Sequence, residues 1–210
     1  MLVLGFLGSP RVYGKCGKLL KRALEGAESK GAKTKRYDLI DCDIQHCSGC
    51  FKCVYENHEL PIGKCLLKDD MSSILEVYIK ADGYIFASPV YEMFVTALMK
   101  KFLERKIALG YRQKDAYREI GAARIPANFK KMASMIVTAN CSDEYEEVMG
   151  IPGFEAMESH LMVEQVPTVD RFYVGNLEDM TEETFSDRLD KAYQLGIHLV
   201  DEIEKAQKED

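Results

Sequence analysis

The sequence has no long apolar run, no basic excess and no low-complexity linker. No run approaches the roughly 18 apolar residues that a membrane-spanning helix needs, so we expect no membrane partner. The net charge of −6 argues against nucleic acid as a partner, because neutralising phosphates requires a basic surface. The apolar start Met1–Leu7 has neither basic residues nor a small-residue cleavage site, so we expect a cytoplasmic protein without a signal peptide.

Short apolar runs alternate with amphipathic segments along the chain. Continuous apolar runs are typical of strands that are buried on both faces of a parallel sheet. The predicted strands are Met1–Gly8, Lys33–Leu39, Gly83–Ser88, Met132–Ala139 and Phe172–Val174. Helical spacing marks residues 19–27, 71–79, 95–109, 145–160 and 185–203. We therefore predict one α/β domain over 1–210, with a doubly wound five-stranded parallel sheet in the order 2-1-3-4-5.

One long segment fits this alternation poorly. Arg105–Lys131 is basic and rich in tyrosine and arginine, which are residue types favoured at protein interfaces. We predict that it forms an interface arm of a homo-oligomer.

The turn after the first strand has features of a phosphate site. Ligands in such sheets bind beyond the carboxyl ends of the first and third strands, and a helix N-terminus attracts anions. Here Ser9 adds a hydroxyl, and Arg11 and Lys15 add positive charge. A Walker loop is excluded because five residues, not four, separate Gly8 from Gly14. A plain connection between strand and helix remains the alternative.

The turn after the third strand carries the most specific motif. Together with Gly8-Ser-Pro-Arg11, the stretch Ser88–Arg105 resembles the NADPH-dependent FMN reductase family of flavodoxin-like proteins. The residues in register are Ser88, Pro89, Tyr91, Lys100, Glu104 and Arg105. The resemblance implies that the chain binds flavin mononucleotide (FMN).

This resemblance also implies which residues hold FMN. The phosphate would contact Ser9, Arg11, Lys15, Cys16 and Gly17. The isoalloxazine ring would lie against Pro89, Val90, Tyr91, Glu92, Met93 and Phe94, with Ala139 and Asn140 from the end of the fourth strand. Ala139-Asn140 departs from the family's usual glycines.

Five of the seven cysteines fall in a loop at 42–65. Three thiols at three-residue intervals followed by a distant fourth are typical of a chain that wraps an iron–sulfur cluster. Zinc or free thiols remain open. The loop resembles that of the iron–sulfur flavoproteins, a branch of the same family, although its spacer 54–64 is longer. The resemblance implies one [4Fe–4S] cluster on Cys47, Cys50, Cys53 and Cys65.

Topology and residue type give further expectations. The loop leaves the second strand at the carboxyl edge, so we expect the cluster close to the flavin. Cys42 and Cys141 are expected to be small buried residues. Asp69 and Asp70 are expected to cap a helix.

These features favour an electron-transfer flavoprotein that links one-electron and two-electron redox partners, such as ferredoxin or NAD(P)H. No catalytic side chain is expected. A clusterless FMN-dependent NAD(P)H:acceptor reductase, acting on a quinone or flavin, is the alternative. A non-enzymatic binding protein is a third possibility.

Overall fold

A parallel sheet forms the centre of the protein. The computed structural model describes residues 1–112, 122–125 and 130–208. The strands are β1 (Leu2–Leu7), β2 (Lys33–Asp38), β3 (Gly83–Tyr91), β4 (Phe94–Val95), β5 (Gly110–Tyr111), β6 (Ala122–Ala123), β7 (Met132–Thr138) and β8 (Thr168–Val174). Five of them run parallel in the order β2-β1-β3-β7-β8. Strand β4 pairs antiparallel with β3, and β5 pairs with β6 outside the main sheet.

Helices cover both faces of the sheet. They are α1 (Lys15–Ser29), α2 (Lys52–Tyr55), α3 (Met71–Tyr78), α4 (Ala97–Arg105), α5 (Ile151–Glu164) and α6 (Glu182–Lys208). One apolar core joins α1 and α6 to the sheet, and the other joins α3, α4 and α5 to the opposite face. Helices α1 and α6 pack closely at Gly196, where an added Cβ would lie 1.8 Å from the Ala23 carbonyl oxygen.

The predicted fold class is confirmed, whereas two predicted helices differ from those observed. The helix expected over 95–109 starts only at Ala97, because Val95 pairs with Val90 and Thr96 caps the helix by accepting a hydrogen bond from Met99 N at 3.2 Å. A 3₁₀ turn follows at Lys106–Leu109. The helix expected over 145–160 is a 3₁₀ turn, a π-helical turn at Glu146–Gly150, and then α5.

Much of the predicted interface arm at 105–131 lies outside the described residues. Its first part continues from α4 into β5, and Ala122–Ala123 returns as β6. The oligomeric role of this segment stays a prediction. In the described ranges, no helix has the length and apolar character required to cross a membrane.

Candidate functional site

A cleft of about 650 Å³ opens at the carboxyl edge of the sheet. We call it the carboxyl-edge cleft. The predicted flavin residues that line it are Ser9, Arg11, Lys15, Cys16, Pro89, Val90, Tyr91, Glu92, Met93, Ala139 and Asn140. Two predicted residues, Gly17 and Phe94, are not in its lining. The structure thus brings the three predicted turns together at one site, as expected at the switch point of such a sheet.

The turn after β1 presents a helix N-terminus to this cleft. Ser9 Oγ accepts a hydrogen bond from Arg11 N at 3.1 Å, and Gly14 N donates to Arg11 O at 2.9 Å. Gly14 is the N-cap of α1 and supplies no side-chain cap. The first N–H groups of a helix have no partners within the helix, so they are available to an anion such as a phosphate.

Gly17 supports this turn from behind. A Cβ at Gly17 would lie 2.0 Å from the Val12 carbonyl oxygen, so no side chain fits there. Arg36 in β2 donates to Gly17 O at 3.0 Å and to Val12 O at 2.9 Å, and its guanidinium lies 2.6 Å from the Asp38 carboxylate. Arg36 therefore fixes the shape of the turn. Sequence analysis missed it, since nothing in β2 marks it as functional.

The Lys15 side chain connects two walls of the cleft. Its ammonium group donates to the Leu177 carbonyl and lies 5.7 Å from the centre of the Phe185 ring. Leu177 and Glu178 form another wall of the cleft. Lys15 therefore ties the β1 turn to the segment after β8.

Two buried groups meet where β7 ends in the cleft. The Thr138 hydroxyl is fully buried and makes no hydrogen bond of normal geometry within the described residues. The neighbouring Cys16 is also buried, and burial raises the pKa of its thiol to about 12 despite the opposing effects of Thr138 and Arg36.

The turn at the rim of the cleft is strained. Glu92 and Met93 link the paired residues Tyr91 and Phe94, and their φ angles are +47° and +64°. A two-residue hairpin with two positive φ values favours Asn-Gly. Side chains with a Cβ pay roughly 1–2 kcal/mol each in this conformation.

We expect Met93→Gly to raise the free energy of unfolding by about 1 kcal/mol, because glycine adopts positive φ without a steric penalty. Urea denaturation measures this change. The matched control is Met162→Gly, at an exposed helical position in α5, which should lower stability by about 1 kcal/mol. Destabilisation by both substitutions would contradict the strain argument.

A second cavity, of about 550 Å³, is lined by all four predicted cluster cysteines. We call it the cysteine cavity, and its cysteines are Cys47, Cys50, Cys53 and Cys65. None of them forms a disulfide. Burial raises the pKa of Cys53 to about 11, and the neighbouring Cys65, Cys47 and Cys50 thiols add to the shift. Among the residues described, no three His, Cys, Asp or Glu side chains form a group that could hold a metal ion.

The long spacer 54–64 folds back on itself and so returns Cys65 to the other thiols. Gly63 N donates to Ala108 O at 2.7 Å, and Arg112 N donates to Val54 O at 3.1 Å. A Cβ at Gly63 would lie 1.9 Å from the Cys53 carbonyl oxygen, so the two ends of the spacer are in direct contact. The extra length is therefore taken up as a compact fold against the 3₁₀ turn after α4.

Arg124 holds this spacer together. Its guanidinium donates to Cys53 O at 2.7 Å and Glu56 O at 2.8 Å, and to the carbonyls of Asn57, Leu60 and Gly110. Carbonyls at the end of the short helix α2 and in the following loop would otherwise lack a donor. No sequence motif marked Arg124, because its partners are backbone atoms far along the chain.

Arg124→Ala should loosen the spacer without unfolding the sheet. We expect amide hydrogen exchange at Gly63 and Glu56 to accelerate at least tenfold, since each hydrogen bond from a charged donor contributes about 1.5–3 kcal/mol. Lys64→Ala, at an exposed spacer position, is the matched control and should leave these rates unchanged. Equal rates in the Arg124 variant and the wild type would show that the arginine does not hold the spacer.

Three minor predictions need correction. Asp69, and not Asp70, accepts a hydrogen bond from Met71 N at the start of α3, whereas Asp70 accepts from Asp43 N. Cys42 and Cys141 are half-buried rather than buried, and Cys141 lines the carboxyl-edge cleft.

The cavity and the cleft are separate places in one chain. None of the described residues lines both of them. The N-cap of α4, Thr96, donates to Gly8 O beside the cleft, whereas Glu104 and Arg105 at the other end of α4 line the cavity. Nine helical residues span roughly 13 Å. The cysteine cavity and the carboxyl-edge cleft thus lie at opposite ends of α4, and the nearness of cluster and flavin stays a prediction.

The chain is similar to known proteins of one family. Residues 1–135 match the family model of the NADPH-dependent FMN reductases. The chain is 37% identical over 112 residues to an iron–sulfur flavoprotein of Archaeoglobus fulgidus, a match that covers 53% of this chain and 48% of the relative. It is 37% identical over 105 residues to an iron–sulfur flavoprotein of Methanocaldococcus jannaschii, covering 50% and 51%. The chain thus spans about half the length of these curated relatives.

Solved structures show the same fold at low identity. A flavone reductase superposes with a TM-score of 0.67 at 18% identity, covering 99% of this chain and 65% of that one. An NAD(P)H:quinone oxidoreductase from Methanothermobacter marburgensis gives 0.68 at 17% identity, covering 95% and 98%. Since residues 1–135 match its model, the chain belongs to the NADPH-dependent FMN reductase family, and these curated relatives are iron–sulfur flavoproteins.

Proposed function

We propose that the chain is an electron-transfer flavoprotein, an FMN-dependent oxidoreductase with FMN in the carboxyl-edge cleft and one [4Fe–4S] cluster in the cysteine cavity. The observation that carries the proposal is the convergence of four free thiols, Cys47, Cys50, Cys53 and Cys65, on one cavity. Three of these thiols precede the long spacer 54–64 and the fourth follows it, so the folded spacer brings Cys65 back to the other three.

The cleft suits FMN in shape and polarity. Its phosphate end has the uncapped N-terminus of α1, the Ser9 hydroxyl and the Arg11 side chain. Its other end has the apolar strand end Pro89–Val90, with Ala139 and the polar Asn140 after β7. A flat aromatic ring needs such a concave apolar wall with a few polar groups to orient it. The individual contacts of the predicted flavin residues remain proposals.

The cysteine cavity suits a cluster in its donor set. Four thiolates are the usual ligands of a cubane cluster. A cubane holds its cysteines at separate corners, so its ligands stand farther apart than those of one ion. The four cysteines contribute to the lining of one cavity, and three of them at three-residue intervals with a distant fourth are the ligand pattern of a cluster rather than of two zinc knuckles.

FMN would supply two-electron chemistry and the cluster one-electron chemistry, so together they can link donors and acceptors of both kinds. The residues of the chain bind, orient and separate the two groups. Arg36 and Gly17 hold the shape of the phosphate turn. Arg124 holds the spacer that brings Cys65 back to the other three cysteines. No side chain is assigned an acid or base role.

The separation of the two sites favours a homo-oligomer. Within one chain the length of α4 lies between cavity and cleft. A second copy can bring its cleft closer to the cysteine cavity than the chain's own cleft is. Ferredoxin or NAD(P)H are the proposed redox partners, since the family model is that of NADPH-dependent enzymes and the relatives are iron–sulfur flavoproteins.

Anaerobic purification tests the cofactor content. We expect one FMN, four irons and four acid-labile sulfides per chain. One FMN with neither iron nor sulfide after anaerobic reconstitution would refute the cluster. That result would favour the second candidate, a clusterless FMN-dependent NAD(P)H:acceptor reductase. The fold similarity to a quinone oxidoreductase and a flavone reductase supports this alternative.

A further inference from the structure

A buried ion pair stands beside one of the four cavity thiols. The side chains of Arg105 and Asp69 are 2% and 0% exposed, and Arg105 Nη2 lies 3.1 Å from Asp69 Oδ1. A second contact joins Nη1 to Asp69 Oδ2 at 2.5 Å, so the pairing is bidentate. Burying two charges costs free energy that their attraction does not always recover, so stability is a weak explanation of such a pair.

The N–H donors of Arg105 also contact the cysteine loop and the Cys65 thiol. Nη1 also donates to Gln45 O at 2.9 Å, which anchors the start of the cysteine loop. Nη2 also reaches Cys65 Sγ at 3.5 Å. Asp69 fixes the plane of the guanidinium, and that plane aims Nη2 at the sulfur.

Lys106, the next residue, shows that a buried cation in this cavity does not by itself interact with a cysteine thiol. Lys106 is just as buried and lines the same cavity, but its ammonium lies 2.7 Å from Glu164 and 4.5 Å from the centre of the Tyr78 ring. Its charge is thus directed at α5 and α3, whereas the Arg105 guanidinium faces Cys65. The two cations have different tasks because of their side-chain geometry.

We propose that Arg105 is a positioning residue that sets the reduction potential of the cluster through Cys65, with Asp69 holding its guanidinium in place. This inference rests on the proposed function, because it needs the cluster. Reduction by one electron adds a negative charge to the cluster and its thiolates. An N–H donor and a positive charge at one sulfur stabilise that reduced form, and hydrogen bonds to sulfur are a known determinant of cluster potential. The guanidinium therefore shifts the potential upward.

The test is a spectroelectrochemical titration of the reconstituted protein carrying FMN and cluster. Arg105→Lys retains the charge and the partner of Asp69 but loses the planar fork, so we expect full iron content with a more negative cluster potential and an unchanged flavin potential. Arg105→Gln removes the charge and should shift the cluster potential in the same direction. Arg22→Lys is the matched control: Arg22 forms an ion pair with Glu25 on α1, on the other face of the sheet, and should leave both potentials unchanged.

The outcomes separate the two claims. A wild-type protein without iron and sulfide refutes the proposed function and this inference with it. A loaded wild type with the same cluster potential in Arg105→Lys and Arg105→Gln refutes this inference alone. Variants that bind FMN with normal circular dichroism but lose the cluster show that Arg105 is required for cluster assembly and overturn its assignment as a residue that tunes the potential. Variants that lose FMN and fold together mark the pair as structural and overturn the inference.

Discussion

Alanine at any one of the four cavity thiols is expected to abolish the broad visible absorbance of the cluster while FMN stays bound. The four substitutions are Cys47→Ala, Cys50→Ala, Cys53→Ala and Cys65→Ala. Each removes one corner ligand, and the remaining three thiolates cannot close the site. The flavin should remain, because the cavity and the cleft share no lining residue in the part of the chain that the structure describes. Visible spectra with iron and FMN assays on anaerobically purified protein measure both cofactors.

Cys42→Ala is the control for this series. Cys42 belongs to the same loop, but it donates to Asp38 O and is not in the lining of the cavity. It should retain full iron content. Cys141 is a poor control because it lines the carboxyl-edge cleft. Full iron content in the Cys65 variant would show that the fourth ligand is misassigned.

Arg11→Ala is expected to weaken FMN binding roughly tenfold to a hundredfold. Arg11 lines the phosphate end of the cleft, and a charge-assisted hydrogen bond contributes about 1.5–3 kcal/mol. Fluorescence quenching of FMN by the apoprotein measures the dissociation constant. Lys18→Ala, an exposed position on α1 outside the cleft lining, is the control and should bind FMN normally. An unchanged dissociation constant for FMN in the Arg11 variant would contradict the assignment of this turn as the phosphate site.

Local sequence signals predicted the sheet and the turns at its carboxyl edge. Continuous apolar runs predict strands such as β1 and β3. The alternation of strands and helices along the chain predicts that the strands are parallel. The turn after β1 was recognisable because its phosphate-binding features are consecutive residues. The hairpin of β3 and β4 was not recognisable, since Glu92 and Met93 are poor turn residues at positive φ.

Long-range contacts account for what the sequence did not predict. Arg36, Arg105 and Arg124 each donate to backbone carbonyls that lie between 19 and 71 residues away in the sequence. A carbonyl carries no sequence signature, so such contacts leave no motif. The same reason applies to the docking of the cysteine loop at the far end of α4. Topology fixes where the loop leaves β2, whereas bonds such as Gly63 N to Ala108 O decide where it docks.

An anaerobic reductive titration tests the joint presence of FMN and cluster most directly. Protein reconstituted with iron, sulfide and FMN is titrated with dithionite while flavin and cluster absorbance are followed. The account predicts uptake of three electrons per chain, two by the flavin and one by the cluster. Uptake of two electrons per chain, with absorbance changes confined to the flavin bands, would contradict it.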